Sequence, residues 1–403
     1  MVRGIDRPRR TWFGMARWKA AILLVAGIVL ALVVVLLIRV SRHPFPEPAL
    51  ASDLERQGRE IFRDDTFGDE RFWTDSAGLH EVVDREIQPI QALRLGLKVD
   101  VDRLDLLQFV LHNPLATSGT RELLRQNAVV GVRATFGPDG HIERIGITCA
   151  LCHSTVDNAL LPGIGHRLDG WPNRSLQVGR ILAMLPIHTD AQRETLASWP
   201  KGTYDPRFNF DGRSTPLVLP PAYGLANVTN ETYTAEGPIS YWNAYVAVTQ
   251  MHGQGNFSDS RLGVNIVNDP DRVTSKLDAL RAYQHSLPTP VPSSGYDDDA
   301  AARGRIVFES NCARCHVGGN LTDNNTGVLH APSETGMDPA YAERTSQKRY
   351  RTTPLRGLWK HAPYFHDGSA ETLDDVVEHY DGVLNLGLGE AEREDLVEYL
   401  KTL

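Results

Sequence analysis

The sequence predicts a mainly α protein. It has two helical units, loop-rich insertions, one small β-hairpin and an N-terminal transmembrane helix. Three observations carry that prediction. Apolar residues recur at helical spacing in several separate stretches. All four cysteines of the 403-residue chain fall into two copies of one short motif, one in each half. An uninterrupted apolar run without a charge, Ala20 to Ile38, lies near the start and at 19 residues is long enough to span a bilayer.

Arg3, Arg7, Arg9, Arg10, Arg17 and Lys19 precede that run, which keeps the N-terminus in the cytoplasm and sends the body outward. The competing reading is a cleaved signal peptide. No Ala-x-Ala-like site follows the run, so an uncleaved single-pass anchor in the cytoplasmic membrane with a periplasmic body is expected. Three prolines between His43 and Pro48 read as a stiff spacer. Leu54, Gly58, Ile61 and Phe62 suggest a short helix. Val101 to His112 reads as a second, with Leu104, Leu107, Val110 and Leu111 on its inner face. Val129–Phe136 and Ile142–Ile147 read as strands joined by the turn Gly137-Pro138-Asp139-Gly140.

From His153 to about Phe257 the chain is rich in Gly, Pro and Asn. It is expected to be mostly loop, with helical pieces near Ser175–Leu185 and Tyr241–Gln250. A better helix spans Arg272–Tyr283. The segment Leu287–Gly295 is the clearest linker. Asp297–Asp299 then opens a helix that runs to the second motif, its acidic first turn suiting the helix dipole. Helices near Thr372–Tyr380 and Gly389–Leu403 close the chain. The expected division is 1–45 cytoplasmic end and anchor, 46–294 first unit, and 295–403 second unit. The net charge of −8 gives no reason to expect nucleic acid as a partner.

The two motifs are Thr148-Cys149-Ala150-Leu151-Cys152-His153 and Asn311-Cys312-Ala313-Arg314-Cys315-His316. Each reads Cys-x-x-Cys-His, the attachment site of a c-type haem. On one helical turn the two sulfurs can bond to two points on the porphyrin edge, and the next residue offers its imidazole to the iron. A disulfide, a redox Cys-x-x-Cys or half a zinc site are the other readings. A zinc site wants a second Cys pair or a later His pair, and here every cysteine is used and each pair is followed at once by His. Two covalent haems are therefore expected, with His153 and His316 as proximal ligands, in two cytochrome-c-like domains.

The surrounding residues say more. Tyr350-Arg-Thr-Thr-Pro-Leu-Arg-Gly357, Ala362-Pro-Tyr-Phe-His-Asp-Gly-Ser369 and Thr372-Leu-Asp-Asp-Val-Val-Glu-His-Tyr380 resemble the C-terminal signature of bacterial di-haem cytochrome c peroxidases. Ile164-Gly-His166, Pro172-Asn-Arg-Ser175, Asp211-Gly-Arg213 and Gly237-Pro238 look like earlier fragments of that family. The likeness covers Thr148 to Leu403 thinly between Leu185 and Ser294. Residues 50–147 match nothing in it. It implies that the C-terminal haem relays electrons and that the N-terminal haem meets peroxide. It also implies that His166 caps the first iron on a Gly-rich loop able to swing away. At the second iron the family usually has Met 14 residues after the His that matches His366; here that position is Tyr380, as in the similar methylamine-dehydrogenase-maturing enzymes. A phenolate there would favour Fe(III) and give a low potential without a Met–iron band. His379 and Met337 are the rivals. Arg351 and Arg356 would pair with haem propionates. A calcium ion between the domains would fall at Asn173, His361 and Pro363.

The chain departs from the family at the peroxide site. The family's catalytic Glu falls on Ala244, its companion Gln near Thr234, and its inter-haem Trp near Phe210. Glu236, Gln250 and His252 are the nearby polar substitutes, and Trp242 and Trp171 the nearby indoles. Glu236 and Trp242 stand as the candidate catalytic pair. The expected function is peroxide reduction with electrons from a small donor, a c-type cytochrome or cupredoxin. A pure electron carrier is one alternative. The other is a dioxygen-dependent oxygenase resembling the di-haem rubber oxygenases. A homodimer is left open.

Overall fold

The computed structural model describes Phe45, residues 47–292 and residues 294–403. The apolar run Ala20–Ile38 and its basic flank lie outside the described residues. Among those described, no helix is long and apolar enough to cross a membrane. Among the described residues helices dominate, and the strands form five two-stranded ladders.

Two helices frame the first half. Asp53–Asp64 starts at a Ser52 capping box and ends against Leu277–Ser286, with Ile61, Phe62, Leu280 and Tyr283 in one core that also takes Trp242, Tyr245 and Phe257. A second core gathers Leu79, Leu123 and Leu124 from the helices Leu79–Glu86 and Thr117–Arg125, Ile145 from the hairpin behind them, and Val129 and Leu185 from the adjoining segments. That hairpin, Val132–Phe136 with Ile142–Ile147, forms as its alternating pattern requires.

The helix expected over Val101–His112 does not form as one piece. Val101–Arg103 is a 3₁₀ turn and the α-helix runs only from Leu106 to Leu111. Asp105 causes the break: its side chain accepts from the Gln108 amide at 3.1 Å and caps the shorter helix. The new start rotates the inner face. Leu104 and Phe109 pack on the second core, while Leu107, Val110 and Leu111 face solvent. Tyr241–Gln250 is likewise composite, an α-helix Ile239–Tyr245 continued by a π-helical turn Val246–Gln250.

In the second half, Asp298–Asn311, capped by Asp297, crosses Glu390–Lys401, and Leu373–Leu384 packs beside them around Phe308, Val377, Leu396 and Leu400. Gly304 makes that crossing possible, since a Cβ there would stand 1.8 Å from the Asp395 carbonyl oxygen. The halves are interlocked rather than beads on a linker. The Val218 amide donates to the His366 carbonyl at 2.8 Å and the Arg351 amide to that of Tyr233 at 2.9 Å. Arg344 reaches back to Asp205 at 2.7 Å and Asp211 at 2.8 Å.

Candidate haem centres

The first motif lies at the junction of the two cores. Strand Ile142–Ile147 runs into the single turn Ala150–His153, and strand Ser154–Val156 follows immediately. Gly131 lets the hairpin lie flat on that turn: its φ is +77°, and a Cβ there would stand 2.1 Å from the Leu151 nitrogen. Leu151 packs on the second core and Cys149 on the first. His153 Nδ1 lies 3.1 Å from the Pro220 carbonyl oxygen. A carbonyl only accepts, so Nδ1 carries the proton and Nε2 keeps its lone pair for a metal. Burial pushes this imidazole down to about 4, which holds it neutral, the form that binds iron.

The second motif repeats the arrangement. His316 Nδ1 donates to the Leu321 carbonyl at 2.9 Å, and burial again depresses the imidazole. Here Cys312, Cys315 and His316 open on a cavity of about 220 Å³, whose far walls include Tyr380, Met337, Arg351 and His366. Of the residues weighed for the second iron, Tyr380 and Met337 line this space. His379 instead donates from Nε2 to the Thr335 carbonyl at 2.8 Å. Burial pushes the Tyr380 phenol up to about 12, so only a cation within bonding reach would hold it as phenolate. His366 is tied to Tyr350, Nε2 to hydroxyl, at 3.0 Å.

Burial also pushes the Cys149 and Cys152 thiols up to about 12 and Cys312 to about 11. Reactive redox thiols are depressed, not raised, so thiol chemistry is the weaker reading of both motifs.

His166 does not stand on a free loop. It sits between strands Ile164–Gly165 and Arg167–Asp169, which pair with Val99–Asp100 and Ser154–Val156. Its carbonyl accepts from the Asp157 amide at 3.0 Å, and its Nδ1 donates to the Asp102 carboxylate at 2.9 and 3.0 Å. The glycines that suggested a loop serve tight pairing instead: a Cβ on Gly165 would meet Asp157 Oδ1 at 2.2 Å.

Glu236 is buried and engaged. Arg207 reaches it at 2.5 Å, and Thr234 donates to its other oxygen at 3.1 Å. Trp242 is a core residue whose Nε1 donates to the Glu231 carbonyl at 3.1 Å. Arg351 and Arg356 converge on Glu231 Oε2, at 3.2 and 3.3 Å. Phe210 is partly exposed beside Tyr245, and His252 stacks on Phe72 at 3.6 Å between ring centres.

Three residues that sequence reasoning passed over stand out. Glu231 is one, and its clamp on two arginines some 120 positions away leaves no local signal. Arg174 is another. It donates from Nη2 to the His361 Nδ1 and carbonyl, both at 3.1 Å, while its buried Nε and Nη1 find no partner among the described residues. Tyr204 is the third: burial pushes its phenol above the ordinary range, and its hydroxyl donates to Gln250 Oε1 at 2.6 Å.

The sequence model of the RoxA-like, cytochrome c-like family matches residues 349–381. The chain is 24% identical over 338 residues to the methylamine utilization protein MauG of Methylophilus methylotrophus, covering 75% of this chain and 87% of that protein. It is 31% identical over 304 residues to the MauG of Methylorubrum extorquens, covering 70% of this chain and 79% of that protein.

The chain belongs to the di-haem cytochrome c peroxidase superfamily.

A cytochrome c551 peroxidase of Nitrosomonas europaea is 29% identical over 153 residues, 33% of this chain and 44% of that protein. A member of this superfamily is a haem oxidoreductase in the general sense and carries covalent c-type haem. The residues present fit that group. Both Cys-x-x-Cys-His turns hold a neutral imidazole by Nδ1, and the second opens on an apolar-walled cavity. Arg174, a buried cation with unpartnered N–H groups and no acidic partner among the described residues, suits a propionate. Arg351, on the wall of the second motif's cavity, keeps one buried nitrogen, Nε, without a partner among the described residues. The calcium positions fit less well. Asn173 Oδ1 accepts from Ser175 at 2.9 Å, and the His361 carbonyl is taken by the Arg174 guanidinium. Among the described residues the one group of potential ion ligands is Cys315, Asp323 and His330, and Cys315 belongs to the haem motif.

Proposed function

We propose that this chain is a di-haem peroxidase that reduces hydrogen peroxide at the first motif with electrons that enter at the second. The observation that carries the reading is the matched pair of motifs, each with its histidine proton fixed on Nδ1 by a backbone carbonyl, in a chain of this superfamily. Bound through the cysteines, haem iron supplies the one-electron chemistry that peroxide reduction needs.

The chain's own residues do the rest. Pro220 and Leu321 fix the two imidazoles through their carbonyls. Tyr380 lines the same cavity as the second motif and would offer a haem held there a hard oxygen ligand that favours the oxidised iron. Asp102 orients His166, proposed as the resting cap of the first iron. Glu231, Arg351 and Arg356 form a buried ion cluster, with Arg351 on the wall of the second motif's cavity. An N-terminal anchor would hold the body at the cytoplasmic membrane, facing the periplasm, where a small c-type cytochrome or cupredoxin is the proposed donor.

One observation favours a second reading, electron transfer without substrate chemistry. The position of the family's proton-moving Glu is Ala244, and Glu236, the nearest carboxylate to that segment in sequence, is locked to Arg207. Adding peroxide to the one-electron-reduced protein separates the two. Rapid loss of the one reduced-haem Soret signal, together with a further spectral change of the haem that was already ferric, is expected, since peroxide takes two electrons and the added one supplies only the first. No reaction with peroxide would leave the carrier.

A further inference from the structure

Residues 79–132, in the part of the chain without counterpart in the family signature, supply most of the walls of a second cavity of about 110 Å³ behind the first motif. Its walls include Ala92, Leu93, Leu124, Val129 and, from the motif itself, Leu151. Of the lining side chains only Lys98 and Thr120 are polar, and both are engaged elsewhere. Lys98 Nζ donates to Ser175 Oγ at 2.6 Å, and Thr120 Oγ1 to the Ile87 carbonyl at 2.6 Å. A water molecule inside would find too few partners, and a dry cavity of this order takes apolar guests.

One wall is thin. Leu104 and Phe109 line the cavity from the segment that carries the helix Leu106–Leu111, while on the outer side Leu107 is 67% and Leu111 68% exposed. The helix is a single short turn and a half between the Asp105 cap and Asn113, whose φ is +58°. Its outer side chains Leu106, Leu107, Val110 and Leu111 are all exposed, so little is packed behind this wall.

We propose that this cavity is a binding site for a small uncharged apolar molecule, a hydrocarbon or an apolar gas of about benzene size or less, admitted past the helix Leu106–Leu111. The site is independent of the peroxide reading, since it lies on the Leu151 side of the motif while Cys149 packs on the other core.

Xenon-pressurised crystals of the mature haem-loaded protein test it directly. A xenon site bounded by Leu93, Val129 and Leu151 is expected, and its absence overturns the proposal. In solution, benzene-saturated buffer is expected to raise the Tm by about 1–2 °C. Ala92→Leu, which places three more carbons in the space, should abolish that rise. A benzene shift that survives Ala92→Leu would place the binding elsewhere and overturn the assignment.

Discussion

Glu231 holds two buried guanidiniums, those of Arg351 and Arg356, on a single carboxylate oxygen. Removing its charge leaves both cations without their acid, and breaking a buried pair costs far more than the pair contributes against an apolar replacement. Glu231→Gln is therefore expected to lower stability by roughly 3–5 kcal/mol in denaturant titration. Asp69 behaves in the opposite sense. It is fully buried, its oxygens accept from the Ile147 amide at 3.2 and 3.3 Å, and burial pushes its carboxyl up to about 9. The fold then keeps a proton that the unfolded chain releases near pH 4. Stability should fall as pH rises from about 4 to about 9, by up to about 1.4 kcal/mol per unit, and level off above. Asp69→Asn should flatten that dependence and be the more stable protein at pH 7; a steeper or unchanged profile would count against it. These residues also show the reach of sequence reading. The haem motifs were legible because five neighbouring residues suffice to define them. Glu231, Arg174 and Asp69 were not, because each takes its meaning from groups brought near only by the fold.

At the scale of elements, the crossing of Asp298–Asn311 with Glu390–Lys401 places Phe308 and the second motif against Leu396 and Leu400. Gly304 sets the approach. Gly304→Ala forces the helices apart and is expected to cost roughly 1–3 kcal/mol, read by thermal or denaturant unfolding. Stability equal to the parent would mean the crossing relaxes freely. The helices at this end were readable because their caps, Asp297 and Thr372, sit beside strong apolar patterns. The segment 101–112 was misjudged because its leucines satisfy a helical period in two registers, and the Asp105 cap selects the one that leaves three of them outside. The glycines beside His166 suggest an open loop, yet in the fold they serve the close pairing of strands.

Across the whole molecule, the segment 200–238 ties the halves together through Glu231, Arg207 and the hydrogen bond from the Val218 amide to the His366 carbonyl. An aromatic group, Trp171 edge-on to Trp359 at 6.2 Å with Phe45 and Tyr223 beside them, covers the same junction. The halves thus hold their two histidine-bearing turns in a fixed relation, which the electron sharing proposed above would use. That relation has meaning only if both turns are loaded. The direct test is the haem content of the mature, exported protein, by pyridine haemochrome assay together with intact mass. Two haems per chain, one lost with Cys149→Ala/Cys152→Ala and the other with Cys312→Ala/Cys315→Ala, is the predicted result; one haem or none in the unaltered protein would contradict the account.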